Sequence, residues 1–567
     1  MFIDARRIPQ GSIIDADICV IGGGAAGITV GREFIGRGFR VCLLESGGLR
    51  MQRQTQRLYE GESVGLPYEL DTTRSRYFGG STNCWGGFSR PFEDFHFARR
   101  DWIPESGWPI TREQLQPYYD RAHDVCGLEA TYDVDSSLAS LESKDLRPLR
   151  FANSRLLTSI TRLSKDRRCF GKAFRQELGR SEEVSVYLHA NVLDLRASEN
   201  AASVEDVRVA TLAGNQFRVR ARWFIMAAGA IENARLLLAS SSVEAAGLGN
   251  SYDCVGRYFM EHPRHKVAEV ALAAGADRTC NAYMPRYALL RLPMAAEINI
   301  AHPVQQREGL LDSAAYIDLV LKGEEAASTI AMKELFWDLW RGVRPRDPAK
   351  QIAAVLSSPL SLATFGCGLF APSERFIESR RITLIAEQSP NRDSRVTLSR
   401  ERDRLGCNQV KLDWRLTDLD RHTVRRSAEI LSQELEHSGI LRTTKLMPED
   451  DGGDVLTPAW NWHHMGTTRM HDDPKHGVVD AQCRVHGIAN LFIGGSSVFP
   501  TAGNHTPTLT IISLAIRLAD HLKHLAAKRP THLVQGHKPA APSSTAVEAQ
   551  AARAGLAESS EGLLRPA

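Results

Sequence analysis

The chain has 567 residues, 70 basic and 67 acidic side chains, and a net charge of +3. That length is enough for about two or three domains, and apolar and charged fractions of 43% and 24% are those of an ordinary soluble globular protein. The near balance of charge argues against nucleic acid as a partner. Ten cysteines without a CxxC pair suit neither zinc nor a disulfide framework, so no metal and a reducing, cytoplasmic compartment are expected.

The first residues, "MFIDARRIPQGSIIDADICVIGGG", lack the apolar stretch of a signal peptide. From residue 16 to 48, "ADICVIGGGAAGITVGREFIGRGFRVCLLESGG" reads as strand, glycine turn, helix, strand. Gly22 permits the tight turn, Gly24 lets backbone approach a pyrophosphate, and Gly27 lets the helix pack on the strand. The helix N-terminus offers free N–H groups and a positive dipole to phosphates. Glu45 ends the second strand, where an acid holds ribose hydroxyls and argues against a 2′-phosphate, leaving FAD or NAD. Gly47 and Gly48 extend the pattern in the manner of flavoproteins; a purely structural glycine turn is the competing reading.

Further along, "YLHANVLDLRAS" (187–198) and "FRVRARWFIMAAGAIENARLLLAS" (217–240) predict strands of a meander and a return to the nucleotide sheet, with "MAAGA" small enough to pass close to a cofactor. The most apolar later run, "IAAVLSSPLSLATFGCGLFA" (352–371), contains Pro359 and several hydroxyls. It reads as a buried or loop-rich piece of a domain, with an interfacial segment as the alternative. "NWHHMGTTRM" (461–470) sets His463 beside His464; in extended backbone their side chains face opposite ways, so the two do not share one role. The tail after residue 528, rich in Ala, Pro, Ser and Gly, reads as disordered.

With these pieces in order, the chain resembles the glucose–methanol–choline (GMC) oxidoreductases. The resemblance rests on "VIGGGAAG" with "LLESGG", "YFGGSTNCWGG" (77–87), "AAGAIENARLLLAS" (227–240), "VGRYFMEHP" (255–263), "NRDSRVTLS" (391–399) and "HHMGTTRM…GVVD…RVHGIANLFIGGSSVFPTAGNHTPTLT" (463–510). The "GGST" stretch and "PTLTIISLAIRLADHL" look closest to a pyranose-oxidase and fructose-dehydrogenase-like branch. The likeness implies an α/β fold: a discontinuous Rossmann-type FAD domain (1–250 and 455–528) and a substrate domain of antiparallel sheet and helices (251–454), with 529–567 as tail.

It also implies FAD and oxidation of an alcohol to a carbonyl, by hydride transfer to flavin N5 while a histidine base draws off the hydroxyl proton. Family members carry that base three residues before the Gly of the "GT" pair, which is His463 here. The second catalytic residue, His or Asn, stands just before the "PTLT" helix; Thr506 fills that slot, with His505 one residue earlier, and both are candidates. The helix starting at "TPTLTII" is expected to present its amides to charge developing on the flavin. Cofactor contacts carry over to Gly22, Gly24, Gly27, Glu45, Ser46, Gly80, Ser81, Asn83, Cys84, Val192, Ala228, Gly229, Gly495, Ser496, Thr506, Pro507 and Thr508. Cys84 stands where relatives with covalent flavin have histidine, so non-covalent FAD is expected, with Cys84 a small thiol buried by the flavin ring and a cysteinyl thioether as the alternative; Asn83 is expected near N5, and Trp85 either stacks on a sugar or belongs to the core.

The substrate expected is a small alcohol, leaning to a sugar, glycoside or polyol, and the acceptor is oxygen or a quinone. A lyase on the same fold and an electron-transfer subunit docking a partner through 352–371 are the alternatives; a membrane or partner subunit is otherwise not indicated. A plain NAD dehydrogenase conflicts with the C-terminal flavin block.

Overall fold

A computed structural model of the chain describes residues 1–128, 133–149, 151, 155–164, 168–285, 292–340, 347–370, 373–446 and 461–528. The tail expected from 529 onward lies outside the described residues. The continuous apolar run at the end of Ile13–Ile21 has the pattern of a strand covered on both faces, and residues 18–21 are buried. This strand pairs in parallel with Val41–Glu45 on one side and Gln216–Met226 on the other. Val184–Leu188 and then Phe2–Asp4 extend the parallel sheet beyond Val41–Glu45. On the far side Gln216–Met226 turns back antiparallel to Val204–Ala210, which pairs with Asn191–Ala197, so the expected meander is present. Leu491–Ile493, more than 250 residues downstream, pairs in parallel with the end of Gln216–Met226 and brings the C-terminal segment to the same sheet.

The glycine turn packs as its sequence dictates. A Cβ on Gly22 would stand 2.5 Å from the Ala227 carbonyl oxygen, and one on Gly27 would stand 1.9 Å from that of Gly22. Only bare backbone lets the helix Ala25–Glu33 start this close to the strand.

The second sheet has seven strands, in the order Leu441–Leu446, Arg264–Leu272, Ile377–Ala386, Ser313–Leu321, Met294–Ile300, Leu156–Leu163 and Phe88–Ser89. Their alternation divides two environments. Ile382, Leu384 and Ala386 enter the hydrophobic core while Ile385 faces the large cavity, and Ala315 and Ile317 flank a cavity-facing Tyr316 in the same way. The core side is closed by the helix Asp418–His437, whose Val424, Ala428, Leu431 and Leu435 repeat on one face. Thr417 and Asp420 cap that helix reciprocally. Arg395–Arg402, Asn408–Trp414 and Gly61–Gly65 form a third, small sheet. All three sheets lie within the unit Met1–His524.

Two expectations need correction. The sheets do not divide at residue 250: Phe88–Ser89 and Leu156–Leu163 belong to the second sheet, where Leu156–Leu163 completes the edge of Met294–Ile300 through seven register pairs. Strand pairing, not chain position, decides membership. The run 352–371 is neither buried nor loop-rich. Pro359 starts a helix instead of interrupting one, giving Pro348–Leu356 and Pro359–Phe370 bent by 76°, and no residue of the first helix is buried. Among the described residues no single helix is long and apolar enough to cross a membrane.

Candidate active site

A cavity of about 520 Å³ runs from the glycine turn to His463, in the size range of small-molecule and cofactor sites. Gly22, Gly24, Glu45 and Ser46 line one end, with Val192, Ala228 and Gly229 from the strands that close the sheet. Gly80, Ser81 and Cys84 line its middle, and Gly495, Ser496, Thr506, Pro507 and Thr508 approach from the C-terminal segment. Gly27 sits behind this wall, packed on the Gly22 carbonyl.

Glu45 is buried, and its carboxylate accepts the amides of Gly23 (3.0 Å) and Gly47 (2.7 Å). Burial raises its pKa, and those two amides pull it back down. The acid therefore braces the glycine turn against its own strand while still facing the cavity. A bare glycine cradle, an acid at the strand end and the helix Thr508–Lys528 opening at the cavity wall form a donor set that fits a dinucleotide.

At the other end the chain bends through Trp462, whose φ of 61° lies in the left-handed region that favours glycine. The bend is held by Glu261, fully buried, which accepts the amides of His262 (2.8 Å) and His463 (2.7 Å) and the Tyr68 hydroxyl (2.7 Å). Burial pushes Glu261 up to about 7 against these donors.

The histidine protons follow from this network. His262 Nε2 lies 3.3 Å from the Ala502 carbonyl, so it carries the hydrogen and His262 Nδ1 is an acceptor. His463 Nδ1, 2.9 Å from His262 Nδ1, must then be the donor. His463 Nε2 is left with its lone pair, and among the described residues nothing hydrogen-bonds it. His464 is differently engaged. Its Nε2 meets the Tyr68 hydroxyl at 2.6 Å, and with that hydroxyl donating to Glu261, His464 is the donor. Burial, then His262 and His464, hold the pKa of His463 well below the usual value, while burial and then Arg74 lower His464 to about 3.

Two expected positions differ. His505 does not line the cavity: its ring lies edge-on to Phe92 and His96, with ring centroids 5.7 and 4.6 Å away, and among the described residues neither nitrogen has a hydrogen-bond partner. His96 accepts the Glu93 amide on Nδ1 and therefore donates Nε2–H to Asp312, leaving His96 itself no lone pair for a cation. Thr506 does line the cavity, and its hydroxyl donates to the Phe88 carbonyl at 2.7 Å, leaving the oxygen as an acceptor. Asn83 turns away and donates to the Phe78 carbonyl at 2.9 Å, bracing its own loop. Cys84 lines the cavity wall, its Sγ beside the Ser75 hydroxyl at 3.4 Å. Trp85 lines the wall too, its indole N–H donating to the Arg168 carbonyl.

The sequence reading missed Glu261 and His262, although both lie in the quoted "VGRYFMEHP"; an acid and a histidine together before a proline were the available signal. It also missed Asn461, which donates to the His262 carbonyl at 2.9 Å and keeps its own carbonyl oxygen as an acceptor at the cavity. Arg74 and Arg76 reach the same wall and both pair with Glu232, whose burial is outweighed by Arg235, Arg74 and Arg76, holding it at about 2.

Comparison with known proteins agrees with this geometry. Residues 17–246 match the FAD dependent oxidoreductase family and residues 390–515 the GMC oxidoreductase family. The chain is 27% identical to 6'''-hydroxyparomomycin C oxidase of Streptomyces lividus, covering 91% of this chain and 93% of the relative. It is 25% identical to the fructose dehydrogenase large subunit of Gluconobacter japonicus, over 53% of this chain and 47% of that one. Among solved structures, pyridoxine 4-oxidase from Mesorbium loti superposes with a TM-score of 0.53 at 17% identity, covering 90% of this chain and 99% of that one. The chain belongs to the GMC oxidoreductases: it is an FAD-dependent enzyme that oxidises a CH–OH group of a small molecule.

Proposed function

We propose that the enzyme oxidises a carbinol of a sugar, glycoside or related polyol, with His463 as the base. The observation that carries this reading is the proton order Ala502 carbonyl, His262, His463, which ends in an unprotonated Nε2 on a residue of the cavity wall. Bound FAD supplies the hydride acceptor. Gly22, Gly24, Glu45, Ser46, Gly80, Ser81, Val192, Ala228, Gly229, Gly495, Ser496, Pro507 and Thr508 are the residues that would hold it. His463 Nε2 takes the hydroxyl proton as the carbon gives up hydride, and His262 keeps the ring in the productive tautomer without moving a proton itself.

On the same wall the Thr506 hydroxyl hydrogen is committed to the Phe88 carbonyl, which leaves its oxygen as an acceptor, and Asn461 spends one Nδ2 hydrogen on the His262 carbonyl, which leaves it one further N–H and its Oδ1. A wall whose polar groups both donate and accept suits a substrate rich in hydroxyls, with Trp85 and Trp462 offering apolar faces. Relatives named for an aminoglycoside and for fructose support the same class. Thr506, not His505, is the second residue in this reading.

We place the enzyme in the cytoplasm, in keeping with ten free thiols, and propose oxygen or a quinone as acceptor. The test is anaerobic mixing of the yellow holoenzyme with a panel of alcohols, sugars and glycosides, followed by air or a soluble quinone. Bleaching by hydroxyl-rich substrates but not by simple alcohols is expected; bleaching by simple alcohols alone contradicts the substrate class. The flavin is non-covalent in this reading, so acid precipitation should release it to the supernatant, and flavin in the pellet would reverse that assignment.

A further inference from the structure

Ala327–Trp340, Pro348–Leu356 and Pro359–Phe370 are three helices of which no residue lines the active-site cavity. Pro348–Leu356 has no buried residue, although Ile352 and Leu356 stand one turn apart on it and are 49% and 68% exposed. In Pro359–Phe370 only Phe365 and Gly368 are buried, Gly368 against Leu321 of the second sheet, while Leu360 and Phe370 are each 79% exposed. Leu339 and Ile330 of Ala327–Trp340 are exposed as well. Helices this apolar normally turn that stripe into a core. Here the stripe is left outside, and contiguous apolar surface of this kind marks an interaction site.

Charge selects the occupant. Residues 351–371 contain no charged side chain, and the ten residues before them, 341–350, contain four basic residues and one acidic. An anionic surface would match them, and an uncharged apolar helix pair flanked by Arg and Lys is the pattern of a segment lying in a lipid interface. The pair has the length and composition of a membrane-inserting segment, but its 76° bend denies it a straight span. It is tied to the second sheet, and Ile330 and Lys333 line a second cavity of about 420 Å³ that shares Arg264 with the cavity of His463.

We infer that Pro348–Leu356 and Pro359–Phe370 dock this enzyme on an anionic lipid surface, lying in the interface without crossing it. Flotation with vesicles tests this, comparing phosphatidylcholine alone with phosphatidylcholine containing phosphatidylglycerol, at low and high salt. The wild-type holoenzyme should float with the anionic vesicles, with at least about tenfold less on neutral ones or in high salt, where exposed charges are screened. The triple variant L356E/L360E/F370E should stay at the bottom while keeping its flavin content and its activity with a soluble dye acceptor. That activity reports the proposed chemistry independently of docking. Wild-type enzyme that does not float, or a triple variant that floats equally well, overturns the inference. So does a wild-type dimer in gel filtration that the triple variant dissolves, because a second copy would then cover this face.

Discussion

His463 and His464 are adjacent in sequence and opposite in hydrogen bonding. His463 donates through Nδ1 and keeps a lone pair on Nε2, while His464 spends Nε2 on Tyr68. Because burial and its histidine neighbours hold His463 well below the usual pKa, the imidazole proposed as base stays neutral on the acid side of neutrality. The rate of anaerobic flavin reduction should therefore be flat from about pH 8 to about pH 6, without the inflection of an ordinary histidine near 6.5; stopped-flow rates across that range check it. Glu45 is the second residue with a definite expectation. In Glu45→Gln one of the two carboxylate oxygens facing the Gly23 and Gly47 amides becomes an NH₂, and charge is lost from both bonds. With the glycine turn less firmly braced, FAD affinity should fall by about 1.5–3 kcal/mol, the scale of one charged hydrogen bond, measured by titrating apoprotein with FAD; unchanged affinity contradicts the role.

Among the elements, a buried ion pair is one of the links that join the second sheet to the C-terminal segment. Arg100 grips Glu387 through two bonds of 2.8 and 2.6 Å, and Glu387 in turn accepts the amides of Asp312 and Gly503. Arg100→Ala leaves that carboxylate buried without its cation and should cost about 3–5 kcal/mol of stability, read as a lower denaturation midpoint. None of this joint was legible in the sequence, since its partners are 287 residues apart. What was legible was local: a glycine turn, a strand ending in an acid, and a helix start are each written within a few residues. Leu156–Leu163 joined the unexpected sheet because its partner strand lies far downstream. The apolar run 352–371 was misjudged because hydrophobicity alone does not say whether a partner face exists inside the chain.

For the molecule as a whole, buried neutral histidines link folding to pH. His262 is fully buried, and burial lowers its pKa from 6.5 to about 4. Between these values the unfolded chain takes up a proton that the folded chain refuses, so stability rises with pH across this window and is lost as pH falls through it. His262 alone accounts for up to about 3 kcal/mol of that loss, at 1.36 kcal/mol per pH unit. Urea midpoints at pH 7 and pH 5 should fall accordingly in wild type and less in His262→Phe; an equal drop in both contradicts the assignment.

The candidate site was half visible in sequence for a related reason. His463 could be picked out from its offset to Gly466, but Glu261 and His262, about 200 residues earlier, hold it only because the fold brings the two segments together. The claim on which the chemistry rests is that His463 takes the substrate proton, and anaerobic stopped-flow reduction of the flavin in His463→Ala and His464→Ala tests it most directly. The account predicts a rate about 10²–10⁴-fold below wild type for His463→Ala with FAD still bound, and a far smaller change for His464→Ala. A His463→Ala enzyme that reduces its flavin at the wild-type rate with a confirmed substrate would contradict it.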